Sequence, residues 1–242
     1  MLPNFEVNQF FKNLILGGSG VFKPTGTSRA MLKAAIENIQ VNDKILDLGC
    51  GSGILGIELL HRFNKKIELF MSDISFEAVD ASISNLSNCN FYGEVKQGSL
   101  FNPWENHKFD VVVSDVSGVA PEIGKFFGWF DTVPNNSGKD GTELATKVLR
   151  EAGRFMNNRK SKIIFPLISL SDESIILETA KHHFKDVVVF SEDRFPLGRA
   201  NDEKFEFLRK FEFIRTEDVS GTLVFFTTIV VAANPRESDY HE

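Results

Sequence analysis

The chain has 242 residues, enough for one sizeable α/β domain with a buried core and too few for two large ones. A formal net charge of −6 and a pI near 5.5 exclude a broad basic surface of the kind that grips long duplex nucleic acid, while a local basic patch stays compatible. Only Cys50 and Cys89 occur, and no stretch carries a secretory leader pattern or the ~20 apolar residues of a membrane span, so a cytoplasmic protein without a membrane segment is expected.

In chain order, residues 5 to 16 read as a short helix or extended arm that ends at the Gly-Gly-Ser-Gly run of 17 to 20. An N-terminal cap segment over 1–20, a main domain over 21–234 and a disordered tail over 235–242 are therefore expected. Apolar residues at helical spacing predict a helix from Thr27 to Ile39, with Thr or Ser available as N-cap. Strands and helices then alternate: strand 44–48, helix 53–63, strand 67–72, helix 75–86, and strands near 91–96 and 109–114. Helix 141–156, strand 161–168, helix 172–184, strand 186–191, a helical insertion 202–211 and a last strand 222–233 follow. Such alternation predicts a mainly parallel sheet with helices on both faces. The 24 Phe residues indicate a phenylalanine-rich core and carry little chemistry.

The run from Lys44 to Leu60 joins an apolar strand, a glycine turn and the start of an amphipathic helix. Its turn glycines stand at 49, 51 and 53; counted from Gly49, the first after the strand, the Gly-x-Gly-x-x-Gly register of a dinucleotide site would place its third glycine at 54, where Ile stands. Asp47, just before the first glycine, would repel a pyrophosphate and attract a cation. The run resembles motif I of the class I S-adenosylmethionine (SAM)-dependent methyltransferases. That resemblance implies a Rossmann-like, seven-stranded, mainly parallel sheet with an antiparallel last strand, and SAM as the cofactor. It also implies that Asp47, Gly49, Gly51, Gly53 and Ser114 bind SAM. Asp73 would take the ribose hydroxyls, Ile74 would pack on adenine, and Ser99 and Leu100 would hold the adenine edge. Asp73 also suits an N-cap for the next helix. Ser99 stands where many relatives carry an acid. Cys50 reads as a small packed side chain, no histidine is expected to act as a catalyst, and no metal site is expected.

Two further segments, Val21 to Arg29 and Ser137 to Glu143, are similar to elements of the HemK-like "small" methyltransferases, with Ser28 in the place of a threonine that closes over the methionine end. Those relatives carry Asn-Pro-Pro-Tyr or Asp-Pro-Pro-Tyr after the fourth strand; this chain has Asp115-Val116-Ser117-Gly118. Asp115 is the candidate catalytic and acceptor-binding residue, with capping of the following turn as its alternative role. Trp129, in the aromatic run 126–130, is a second acceptor-binding candidate. Loss of the tyrosine removes a stacking contact worth roughly 1–3 kcal/mol for a base. The expectation is methyl transfer to a small molecule or short exposed group, with N-methylation favoured. An RNA- or protein-modifying enzyme and a non-catalytic SAM-binding module are the alternatives, and the oligomeric state is open.

Overall fold

The apolar runs assemble into one mixed sheet in the computed structural model, which describes residues 14–130 and 132–236. The parallel part is β1 (Lys44–Leu48), β2 (Glu68–Asp73), β3 (Glu94–Gln97), β4 (Val111–Ser114) and β5 (Lys162–Ile168). Two long strands, β6 (Phe184–Arg199) and β8 (Thr222–Pro235), and the short β7 (Thr216–Val219) complete it. The spatial order is β3-β2-β1-β4-β5-β8-β6, with β7 pairing β8 off this path. β8 runs antiparallel to both β5 and β6, so the last strand inserts between its predecessors.

Helices cover both faces because the central strands are apolar on both sides; all four residues of β4, Val-Val-Val-Ser, are buried. On one face pack α1 (Gly26–Asn38), α2 (Ile54–Arg62) and α3 (Phe76–Asn88), through Met31, Ala35, Ile57, Leu59 and Leu86. On the other lie α5 (Glu143–Ala152) and α6 (Glu173–His183), with Val148, Leu149 and Ile176 against Trp104 and Phe109. A third cluster sits beyond the sheet at its carboxyl edge. There α4 (Pro121–Phe127) and α7 (Asp202–Leu208) meet the extended parts of β6 and β8 through Ile123, Phe195, Leu208 and Phe225.

Several expectations change. Residues 195–199, expected as a loop, continue β6. Its register shifts between Val189 and Ser191 and between Pro196 and Gly198, and an edge strand tolerates a proline that lacks an N–H. β7 was not foreseen; Ser220 and Gly221, at φ 51° and 81°, form its two-residue link to β8, the backbone geometry of a tight hairpin. The sheet thus has eight strands, seven of them in the main path. The insertion helix is shorter than expected, ending at Leu208. Pro235 closes β8 and the Arg236 amide bonds His183 O at 2.9 Å, so the first two residues of the expected tail belong to the sheet edge. Residues 14–16 carry no regular structure; the expectations for 5–13 and 237–242 lie outside the described residues.

The extended β6 reaches the start of α1. A Cβ on Gly26 would stand 2.1 Å from Cε1 of Phe195, whose ring packs on Phe225 at 5.6 Å. Gly26→Ala is accordingly expected to destabilise the fold by about 1–3 kcal/mol through overpacking. A lowered urea midpoint at unchanged slope checks this.

Candidate functional site

The strand order reverses between β1 and β4, and a cavity of ≈ 290 Å³ opens at the carboxyl ends of β1, β2 and β4. Ligands bind at such switch points in open α/β sheets. The turn after β1 is built on left-handed glycines, Gly49 at φ 80°, Gly51 at 53° and Gly53 at 71°, which side chains would strain. At Gly53 a Cβ would also lie 2.8 Å from Ser82 Oγ.

Three carboxylates surround the cavity. Asp47 is 1 % exposed, and its Oδ2 accepts the Gly56 amide at the first turn of α2, 3.1 Å away. Burial pushes its pKa up to about 7, against the opposing pull of that amide, and the charges of Asp115 and Asp73 add to the rise. Asp73 accepts the Gly51 amide on Oδ2 and the Ser75 amide on Oδ1, both at 2.9 Å, so it ties the glycine turn to the end of β2. Burial raises its pKa, opposed by those bonds. Asp115 accepts from Ser28 Oγ at 2.9 Å on Oδ2, and burial raises its pKa also, with the Ser28 bond opposing. Ser28 is fixed at the start of α1 by a reciprocal capping box with Thr25.

No lysine, arginine or histidine lines the cavity among the described residues. Three acids with no cation make a hole that repels phosphate and favours a positively charged guest. A sulfonium and an ammonium on one ligand fit that donor set, so the residues present suit SAM. Asp47 would face its charged end. Each Asp73 oxygen still has a free lone pair for ribose hydroxyls. Ile74, 51 % exposed, offers an apolar face beside Asp73 for an adenine ring. Ser99 and Leu100 complete that end, Leu100 in the left-handed region at φ 49°, a strained conformation for a side-chain-bearing residue and one that clusters at ligand sites.

Of the residues singled out in the sequence, Ser28, Asp47, Gly49, Gly51, Asp73, Ile74, Ser99, Leu100, Asp115 and Trp129 line this one cavity. Gly53 and Ser114 do not. Gly53 is the N-cap of α2 and packs against α3, and Ser114 is buried within β4 beside Leu48, so both shape the site from behind. Ser28 meets Asp115 directly, donating to its Oδ2. Cys50 lines the turn with its thiol pKa pushed well up by burial, a protonated, packed side chain.

The sequence reading missed the far wall, made by Val133, Pro134, Asn136, Leu144, Ile168 and Phe225. Phe225 is on β8, and only the long hairpin of β6 and β8 brings it near Trp129, 5.8 Å between ring centroids. Phe22 and Phe130 stack at 5.3 Å across the mouth, where the Gly20 amide bonds Thr132 O at 2.8 Å.

If Asp73 holds a ribose, Asp73→Ala weakens SAM and S-adenosylhomocysteine equally, by roughly tenfold to a hundredfold, since both carry the same sugar and a bond to a charged group is worth about 1.5–3 kcal/mol. Calorimetry with the two ligands tests it; selective loss of one would remove the ribose assignment.

Comparison with known proteins places the chain. Residues 15–115 match the Methyltransferase small domain. The chain is 30% identical over 124 residues to ribosomal RNA small subunit methyltransferase C of Haemophilus influenzae (strain 86-028NP), over 47% of this chain and 37% of that one. It thus spans little more than a third of the length of this curated relative. Among solved structures, precorrin 8w decarboxylase of Methanobacterium thermoautotrophicum superposes with TM-score 0.56 at 17% identity, over 96% of this chain and 100% of that one. The T. thermophilus 16S rRNA N2 G1207 methyltransferase, in complex with AdoMet and guanosine, gives 0.52 at 16%, over 88% and 44%. The fold is that of the class I methyltransferases.

Proposed function

We propose, from the premise that this chain is a class I SAM-dependent methyltransferase of the small-domain family, that it methylates an amine nitrogen of an RNA base turned into the cavity. The observation that carries the reading is Asp115: a carboxylate on the same cavity as the cationic-ligand acids, one oxygen held by Ser28 and the other left for an acceptor. Curated relatives of this chain are named as ribosomal RNA small subunit methyltransferases, and one structural neighbour holds guanosine beside AdoMet. Both support RNA over the small molecule favoured from sequence.

When bound, SAM supplies an electrophilic methyl group. An amine on a nucleobase is a weak nucleophile because its lone pair is delocalised into the ring, so an acceptor for its N–H hydrogens helps to localise that pair. Asp115 supplies the acceptor and takes the proton that the nitrogen sheds as the N–C bond forms and the S–C bond breaks. A carboxylate also matches the paired N1–H and N2–H donors of a guanine edge. Trp129, Phe130 and Phe22 give apolar ring faces on the same cavity, replacing the stacking partner absent at Gly118. Orientation supplies much of the acceleration.

One observation favours a second reading. The net charge of −6 argues for a small amine as acceptor. Incubating the protein with methyl-labelled SAM and separate ribosomal RNA, tRNA, peptide and metabolite fractions distinguishes the two. Label in an N-methylated base of RNA, declining steeply with added salt, is the expected result. Label confined to the metabolite pool would replace it with the second reading, and label in none would overturn both.

A further inference from the structure

The loop after β4 forms the floor on which an acceptor would rest, yet residues 115–120 carry no helix, strand or proline, and Gly118 adds backbone freedom. Val116, Ser117, Gly118 and Val119 all line the cavity, and neither the Val116 nor the Ser117 amide donates a hydrogen bond among the described residues. What restrains this floor comes from another loop. Asn135 Oδ1 lies 2.7 Å from Ser117 Oγ, which donates to it, and Asn135 Nδ2 donates to Val119 O at 3.4 Å. Buried Ser137 lies 2.5 Å from the same carbonyl and 2.8 Å from Asn135 Oδ1, within reach of both for its single proton. The neighbours of Asn135 on either side, Pro134 and Asn136, are themselves cavity wall, and the same loop is anchored at Thr132 to the mouth segment at Gly20.

We propose that Asn135 is a positioning residue for the acceptor: its amide clasps Ser117 and Val119, and so holds the floor next to Asp115 in the shape that aligns an amine for transfer. The inference deepens the proposed activity and rests on it. Asn135 sits outside the cavity lining, so its effect passes through the loop it holds. One side chain uses both amide ends on two residues of this six-residue loop, which an alanine could not do. Its removal leaves residues 116–119 with no side-chain hydrogen bond but that of Ser137 among the described residues.

The test uses Asn135→Ala, Ser117→Ala and the double variant of the full chain. Expected are a tenfold or larger loss of kcat/KM for the acceptor in each single variant, a SAM Kd within twofold of the parent, and a double variant no worse than the weaker single, because both changes break the same clasp. Backbone 15N order parameters are expected to fall at residues 116–120 in Asn135→Ala while those of 47–58 stay as in the parent. Unchanged order parameters at 116–120, order parameters lowered throughout the chain, or a SAM Kd that worsens in step with kcat/KM would each overturn the clasp. Additive losses in the double variant would do the same. If the parent protein methylates no acceptor, the proposed activity fails, and the order-parameter measurement alone judges the clasp.

Discussion

Asp115→Ala is expected to lower turnover by about two to four orders of magnitude while the SAM dissociation constant stays nearly constant, the range that removing a general base produces. The expectation follows from where the carboxylate stands. It lies at the end of β4, opens on the cavity and is oriented by Ser28 through one oxygen. A contact made to the reacting amine appears in the rate constant, whereas a contact to the cofactor would appear in its affinity. Asp115→Asn separates two roles of the same group. It keeps a hydrogen-bond acceptor and discards the proton sink, so the rise of kcat with pH that accompanies ionisation of a carboxyl raised by burial should vanish in this variant. Single-turnover kinetics across pH 5 to 9 measures this. Parent-like turnover in Asp115→Ala would leave the residue as the acceptor of one Ser28 hydrogen bond and nothing more.

Asp47→Asn is expected to weaken SAM by roughly tenfold to a hundredfold and, at the same time, to stabilise the ligand-free protein at pH 8. The first effect is the loss of a charged partner for the cationic end of the ligand, about 1.5–3 kcal/mol. The second follows from linkage. The folded state holds the Asp47 proton up to about pH 7 whereas an exposed aspartate releases it near 3.8, so the folded state binds more protons between these values. Stability is therefore fully present below pH 4 and is lost as pH rises through 7, by an amount on the order of a few kcal/mol. An asparagine carries no such dependence, and its amide oxygen can still accept the Gly56 N–H. Thermal unfolding of both proteins between pH 5 and 8, with and without SAM, tests the pair of effects. The parent curve should fall with pH without ligand and recover with it, because a cation in the cavity favours the ionised carboxylate. A variant that binds SAM at parent strength would dissociate Asp47 from the cofactor.

This opposition has a simple cause. Burial raises the charging cost of Asp47, Asp73 and Asp115, the charges of the last two add to that of Asp47, and no cationic side chain among the described lining residues offsets them. The same repulsion distinguishes SAM from S-adenosylhomocysteine, which lacks the sulfonium, and should favour release of the neutral product once transfer is complete.

Much of the site was legible along the chain because its parts are local. Motif I, Asp73 with Ile74, and Ser99 with Leu100 each combine a strand end with the turn that follows it, and strand ends of a parallel sheet necessarily share one edge. Apolar patterning thus pointed to the parallel core, and the resemblance at motif I, with Asp47 before its first glycine, to a cavity edge suited to a cationic guest. The same reading placed Gly53 and Ser114 among the ligand residues, whereas neither lines the cavity, since a place in a turn or strand does not fix which atoms face the opening. Only the tertiary structure decided the acceptor side. Phe225 reaches the cavity through the antiparallel return of β8, Ile168 from the end of β5, and residues 133–136 from the loop packed over the sheet edge. Ser28 and Asp115 are 87 residues apart, and Asn135 and Ser117 are 18 apart. Pairings of this kind depend on register and on loops packed over a sheet edge, where no periodicity in the sequence records which side chains will meet.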